Sequence, residues 1–132
     1  MRYLLDTNII SHMMREPSGT VVMRVAGAGE KSVFTSLLAI AEIRFGILKK
    51  NSKKLEQALN KILPYLQVEP WASPADRHYA ETRAFLEANG ITTGQLDLLL
   101  ASQALATNAI IVTDNVKHFS RVPGLKVENW LR

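Results

Sequence analysis

The sequence predicts an α/β fold, with short parallel strands alternating with helices that cover both faces of the sheet. Three observations carry that prediction. Residues 2–6 and the runs SVFT (32–35) and AIIVT (109–113) read as short buried strands. Between them lie longer segments with apolar residues at helical spacing, such as Leu55, Leu59, Ile62, Leu63 and Leu66. No repeat, low-complexity tract or linker interrupts the alternation, so residues 1–132 read as one domain.

Each element has local reasons. Asn8 to about Arg15 forms a first helix, stopped by Pro17. Ser18 or Thr20 caps a second, whose inner face is Val21, Val22 and Val25 and whose end is frayed by Gly27 and Gly29. Ser36 caps LLAIAEIRFGILKK, a long helix that is apolar nearly all round and is expected to be mostly buried. Asn51 and Ser52 separate it from the helix KKLEQALNKILPYL. QVEPW holds a candidate strand. In SPADRHYAETRAFLEANG, Ser73 is the expected N-cap, Pro74 the first helical residue and Gly90 the stop. ITTG is a loop, and Gln95 to Thr107 is another apolar helix. DNVKHF turns away from the AIIVT strand, and LKVENW supplies a last edge strand.

Composition narrows the chemistry. Hydrophobic residues make up 47% of the chain, enough to fill a core, and a charged fraction of 21% is ordinary for a globular domain. With no cysteine there is no disulfide and no thiolate metal site. Met1 leads straight into the first strand, so no signal peptide is expected. No apolar run reaches the roughly 18 residues of a membrane helix. The expected setting is the cytoplasm, with no membrane partner. The net charge of +4 tilts the chain toward polyanionic partners.

Four acidic positions stand where acids are unusual. Asp6 ends the first strand, and in an open parallel sheet ligands sit beyond the carboxyl ends of the strands. It also suits a helix cap. Glu42 interrupts an apolar helix, where an unpaired buried carboxylate costs several kcal/mol, roughly, or becomes neutral. It needs a partner, a metal or an exposed stripe shared with Arg44. Asp97 lies in the first turn of an apolar helix, where the dipole favours an acid and a capping role also fits. Asp114 follows the AIIVT strand with Asn115 beside it, a good turn pair as well as a strand-end acid. Taken together, strand ends and the starts of the following helices share one rim. Asp6, Asp97 and Asp114 or Asn115 therefore converge there, with Glu42 in reach under two turns from Ser36. Packed carboxylates repel unless a cation lies among them, and oxygen ligands alone suit Mg²⁺ or Mn²⁺. His12, His78 and His118 are scattered without ligand spacing and read as surface or loosely packed residues.

The ordered set LLDTNII, SLLAIAEIRFGI and GQLDLLLASQALATNAIIVTDNVKHF resembles PIN-domain ribonucleases of the VapC toxin type, over nearly the whole chain. The resemblance implies a PIN-like five-stranded parallel sheet flanked by helices. It implies an acidic Mg²⁺ or Mn²⁺ pocket, endoribonuclease activity, a homodimer and a cognate antitoxin that blocks the site. Asp6 matches the strand-end aspartate, Glu42 the helix glutamate, and Asp97 the aspartate of the G-x-x-D segment. Asn8 matches the asparagine of D-T-N, and Thr113 the hydroxyl residue before the last acidic position. There the family reads T-x-D or, in a subset, T-x-N. The matching residue is Asn115, and Asp114 lies one residue early.

The implied reaction is metal-assisted hydrolysis of RNA. Asp6 and Asp97 hold the metal most directly, and Glu42 with the 114–115 pair completes the shell. The implied products carry a 5′-phosphate and a 3′-hydroxyl. Candidate RNA contacts are Arg15, Arg24, Arg44 and the cluster Lys49, Lys50, Lys53 and Lys54, although lysines at a helix end also serve the dipole. An aspartyl-phosphate phosphotransferase is disfavoured, because Asn8 stands where that chemistry usually places a second acid. A PIN-like module of weak or lost catalysis, binding RNA or a partner, is the alternative.

Overall fold

The strand that ends in Asp6 lies at the centre of the sheet. In a computed structural model, which describes residues 1–29 and 31–131, β1 (Arg2–Leu5) pairs on one side with β2 (Val33–Ser36) and on the other with β4 (Ala109–Val112). β3 (Gln67–Glu69) lies outside β2, and β5 (Val127–Glu128) outside β4. The order is β3-β2-β1-β4-β5, all parallel, as the α/β reading expects.

The period-two alternation of strand side chains divides the core. Leu5, Val33 and Val112 face one layer, with Ile9, Ile10 and Met13 of α1 (Thr7–Arg15), Val21 and Val25 of α2 (Thr20–Ala28), and Leu59 and Ile62 of α4 (Lys53–Ile62). Leu4, Phe34 and Ile111 face the other, with Leu100, Ala101 and Ala104 of α6 (Gln95–Ala106) and Phe119 of α7 (Val116–Phe119). α5 (Ala75–Ala88) packs against α6. Each fully buried aliphatic side chain contributes about 1.5–3 kcal/mol. No helix among the described residues is long and apolar enough to cross a membrane.

Three local expectations are corrected. α3 (Leu37–Lys50) is capped by Ser36, whose Oγ accepts from the Leu38 amide at 3.0 Å, but it is not buried on most sides. Ala39, Ile40, Ile43 and Ile47 form one buried face, whereas Leu37, Phe45 and Leu48 are exposed, Leu48 by 79%. The helix looks apolar all round because it has two apolar faces, of which the core uses one. Ser73 does not cap α5; the Ala75 amide bonds to the Ala72 carbonyl at 2.9 Å, so Ser73 and Pro74 belong to a turn leading into the helix. Gly19, rather than Ser18 or Thr20, holds the N-cap position of α2, where its amide closes a turn onto the Glu16 carbonyl.

Gly90 ends α5 as expected. At φ +68 its amide reaches the Glu87 carbonyl, and the Ile91 amide reaches the Leu86 carbonyl at 2.8 Å. Gly90→Ala should lower stability by about 1 kcal/mol, because alanine is strained in the left-handed region. Gly46→Ala, inside α3 where the added carbon meets nothing within 4 Å beyond its chain neighbours and the helix's own backbone, should raise it by roughly 0.5–1 kcal/mol. Thermal unfolding of the two variants should give shifts of opposite sign.

Candidate functional site

The sheet order sets the place of the site. The chain winds outward from β1 through β2 to β3, then returns to the other side of β1 with β4. The β1–β4 boundary is therefore a topological switch point, and a crevice opens beyond the carboxyl ends of these two strands. The last bond between them runs from the Asp6 amide to the Val112 carbonyl, at 2.9 Å. The next residues, Asp6 and Thr113, face each other across the crevice.

Asp6 is only 4% exposed. Its Oδ1 accepts from the Thr7 amide at 2.7 Å, so it caps α1, and its Oδ2 accepts from the Thr113 hydroxyl at 2.7 Å and from Asn8 Nδ2 at 3.2 Å. Burial pushes its carboxyl above the usual range, the bonds from Thr113, Thr7 and Asn8 oppose that, and the charge of Asp97 adds to the rise. Asp6 thus caps α1 and at the same time lines the pocket at the switch point.

Asn8 and Thr113 brace this carboxylate. Asn8 Nδ2 also lies 3.4 Å from the Thr113 hydroxyl, and Asn8 Oδ1 accepts from the Asp114 amide at 3.2 Å. The Thr113 hydroxyl in turn accepts from the Asn115 amide at 3.0 Å. The loop after β4 is thereby tied to the start of α1. It separates the ambiguous pair: Asn115 lines the pocket with Asp6 and Asp97, whereas Asp114 does not, and its Oδ1 accepts from Asn129 Nδ2 at 3.2 Å.

Asp97 enters from the first turn of α6. It is not the cap, a position held by Gly94. Its Oδ2 meets His118 Nε2 at 3.1 Å, and Arg121 Nη2 approaches His118 Nδ1 at 2.6 Å. Burial pushes the Asp97 carboxyl up, and the His118 and Arg121 side chains beside it hold that rise in check. His118 therefore belongs to the site, against the expectation of a loose surface histidine. The only hint in the sequence is its position just after Asn115. The separation of 21 residues from Asp97 has no ligand-spacing signature.

Glu42 is exposed on α3 and does not stand with Asp6 and Asp97. It lines an adjoining hollow with Lys50, which shares Thr7, Ser11 and Arg15 with the Asp6–Asp97 pocket. Of the readings open for Glu42, the exposed stripe shared with Arg44 is the one observed, because the core takes the opposite face of the helix. Among the basic candidates, Arg15 lines both hollows and Lys50 the outer one. Arg24 pairs with Glu128 at 3.9 Å and lies 5.1 Å over the Trp130 ring, a structural use.

Among the described residues no three acidic or histidine side chains form a cation-binding group. The pocket instead offers two carboxylates, the amide oxygen of Asn115 and the Thr7 hydroxyl, which is buried without a hydrogen-bond partner among the described residues. That set fits Mg²⁺, a hard cation that takes one or two carboxylates and keeps several waters. A soft or thiolate-preferring metal has no donor here.

Comparison with known proteins agrees with this geometry. The PIN domain family model matches residues 3–125. The chain is 35% identical over 98% of both lengths to a protein named Ribonuclease VapC2 from Rickettsia felis. It is 27% identical, again over 98% of both, to one named tRNA(fMet)-specific endonuclease VapC from Shigella flexneri. The crystal structure of VapBC2 from Rickettsia felis, bound to a DNA fragment from their promoter, superposes with a TM-score of 0.88 over 98% of this chain and 99% of that one at 35% identity. VapBC-1 from nontypeable Haemophilus influenzae superposes with a TM-score of 0.85 over the full length of both at 28% identity. With a central strand ending in a braced aspartate and full-length likeness to these proteins, the chain belongs to the PIN-domain family, in its VapC branch.

Proposed function

We propose that this protein is a Mg²⁺-dependent endoribonuclease, the toxin of a toxin–antitoxin pair, which hydrolyses phosphodiester bonds in RNA. The observation that carries the reading is the meeting of Asp6 and Asp97 in one pocket at the switch point, each with its carboxyl pushed up by burial and Asp6 further by the charge of Asp97. Two such groups are costly together without a cation. Mn²⁺ would serve in place of Mg²⁺ by the same donor chemistry.

Asp6 and Asp97 would hold the ion, with Asn115 beside them. A divalent cation there supplies acidity to a water and offsets negative charge on the attacked phosphate. Thr113 and Asn8 keep the Asp6 carboxylate from turning away. Arg15, with no ion-pair partner among the described residues, offers a cation to the RNA backbone at the rim. Water adds across a P–O3′ bond, leaving a 5′-phosphate on one fragment and a 3′-hydroxyl on the other.

Two apolar surfaces suit the expected partners. Leu37, Ala41, Phe45 and Leu48 form an exposed apolar stripe on α3, able to pack on its own copy in a homodimer. The apolar face of α4 is used inside the chain, so it adds little to that surface. The groove between α1, α2 and α4, lined by Met13, Val22, Val25, Ile62 and Tyr65, is concave and fits a segment of an antitoxin. The alternative, a PIN module that binds RNA without cleaving it, draws on the neutral Asn115 and the outlying Glu42.

Asp6→Asn and Asp97→Asn should each lower Mg²⁺-dependent cleavage of structured RNA roughly a hundredfold or more, a loss of about 3 kcal/mol in the transition state. Asn115→Ala should also weaken cleavage, while Asp114→Asn should leave it nearly intact. Full activity in Asp97→Asn would sink the metal-site reading, and RNA binding with no cleavage by the unmutated protein would favour the binding module.

Stability gives a second test. A carboxyl raised in the folded state binds its proton more readily there than in the unfolded chain, whose value is about 4. Its favourable effect is complete below that value and is lost as pH rises through the raised folded value. Without metal at neutral pH, Asp97→Asn should therefore melt higher than the unmutated protein, and the gap should close toward pH 4. Added Mg²⁺ or Mn²⁺ should raise the melting temperature of the unmutated protein more than that of the variant.

For assembly, sedimentation at tens of micromolar should report a dimer, and Phe45→Glu, at a residue 59% exposed in the single chain, should give a folded monomer. A monomeric unmutated protein would overturn the dimer.

A further inference from the structure

His118 and Arg121 reach the site from outside the set of acids. Arg121 is anchored at several points: its Nε donates to the His118 carbonyl at 3.1 Å, and Nη2 lies 3.4 Å from both the Thr92 carbonyl and the Thr93 hydroxyl, in the loop that leads into α6. The same Nη2 is 2.6 Å from His118 Nδ1 and 3.4 Å from its Nε2. A guanidinium only donates hydrogen bonds, so the nearer ring nitrogen, Nδ1, takes the accepting role. The neutral ring then carries its hydrogen on Nε2, the nitrogen that faces Asp97 Oδ2 at 3.1 Å. Arg121 thus favours the tautomer that turns an N–H toward Asp97, whose Oδ2 stands at ion-pair distance. Oδ1 of Asp97 has no protein hydrogen bond among the described residues.

We propose that Arg121 and His118 form a positioning relay for Asp97, in which Arg121 selects the Nε2–H tautomer of His118 and that N–H locks one carboxylate oxygen, leaving the other for the cation. This rests on the metal-site reading above. It mirrors the usual support of metal ligands, in which outer partners orient the ligand and changing them costs about 10–100-fold in metal affinity or activity. The relay also joins the loop before α6 to the segment after α7, so it sets where the two sides of the crevice stand relative to each other. Among the described residues Asp97 has no backbone amide bond of the kind that fixes Asp6, so its orientation depends on these side chains.

The test uses the RNA-free protein. Mn²⁺ affinity is measured by the electron paramagnetic resonance signal of free Mn²⁺, with melting temperature and RNA cleavage followed in parallel. His118→Leu should weaken Mn²⁺ binding roughly tenfold. His118→Gln should restore it, since a glutamine amide offers a carbonyl to Arg121 and an N–H to Asp97. The ¹⁵N shifts of the neutral His118 ring should show the hydrogen on Nε2, and that preference should be lost in Arg121→Leu. Unchanged Mn²⁺ affinity in His118→Leu, or equal weakening by the leucine and glutamine variants, would overturn the relay, as would a ring with its hydrogen on Nδ1. An Asp97→Asn variant that binds Mn²⁺ as tightly as the unmutated protein would overturn the metal site itself, and the relay with it.

Discussion

The structure depends on one buried carboxylate. Asp6 is sealed at the end of the central strand, where a bare charge costs several kcal/mol, roughly. Three donors answer that cost: the Thr7 amide, the Thr113 hydroxyl and Asn8 Nδ2. Each comes from an element that has to be in place for the crevice to exist, namely the start of α1 and the end of β4. The switch point is therefore held together by the same bonds that prepare its acid. The short strands, four residues each in β1, β2 and β4, put this rim within reach of both core layers.

The second acid is held in a different way. Asp97 is half-buried, and its partner is the side chain of His118 rather than a backbone amide. Asp6 is fixed by the fold itself, whereas Asp97 is fixed by a chain of side chains that ends on the loop at Thr92 and Thr93. A pocket with one rigid and one supported carboxylate would suit the proposed cation, which keeps much of its water shell.

Much of this was legible from local chemistry. The strand alternation, the Ser36 cap, the Gly90 stop and the strand-end position of Asp6 all follow from rules acting over a few residues. Short-range rules misplaced the cap of α5, because a turn before the helix took Ser73 and Pro74. They also overstated the burial of α3. Hydrophobicity records that a face avoids water, and does not say whether the face is covered by its own chain or left for a partner.

The sequence by itself determined the α/β class, the family resemblance, and the acids at the ends of β1 and at the start of α6. These are matters of periodicity and local backbone preference, which neighbouring residues encode. Only the tertiary structure decided which of Asp114 and Asn115 lines the pocket, that Glu42 stands outside it, and that His118 lies against Asp97. Those outcomes turn on the orientation of the loop after β4 and the rotation of α3 about its axis. Both are set by long-range packing and by bonds such as Asn8 to the Asp114 amide, between residues 106 positions apart.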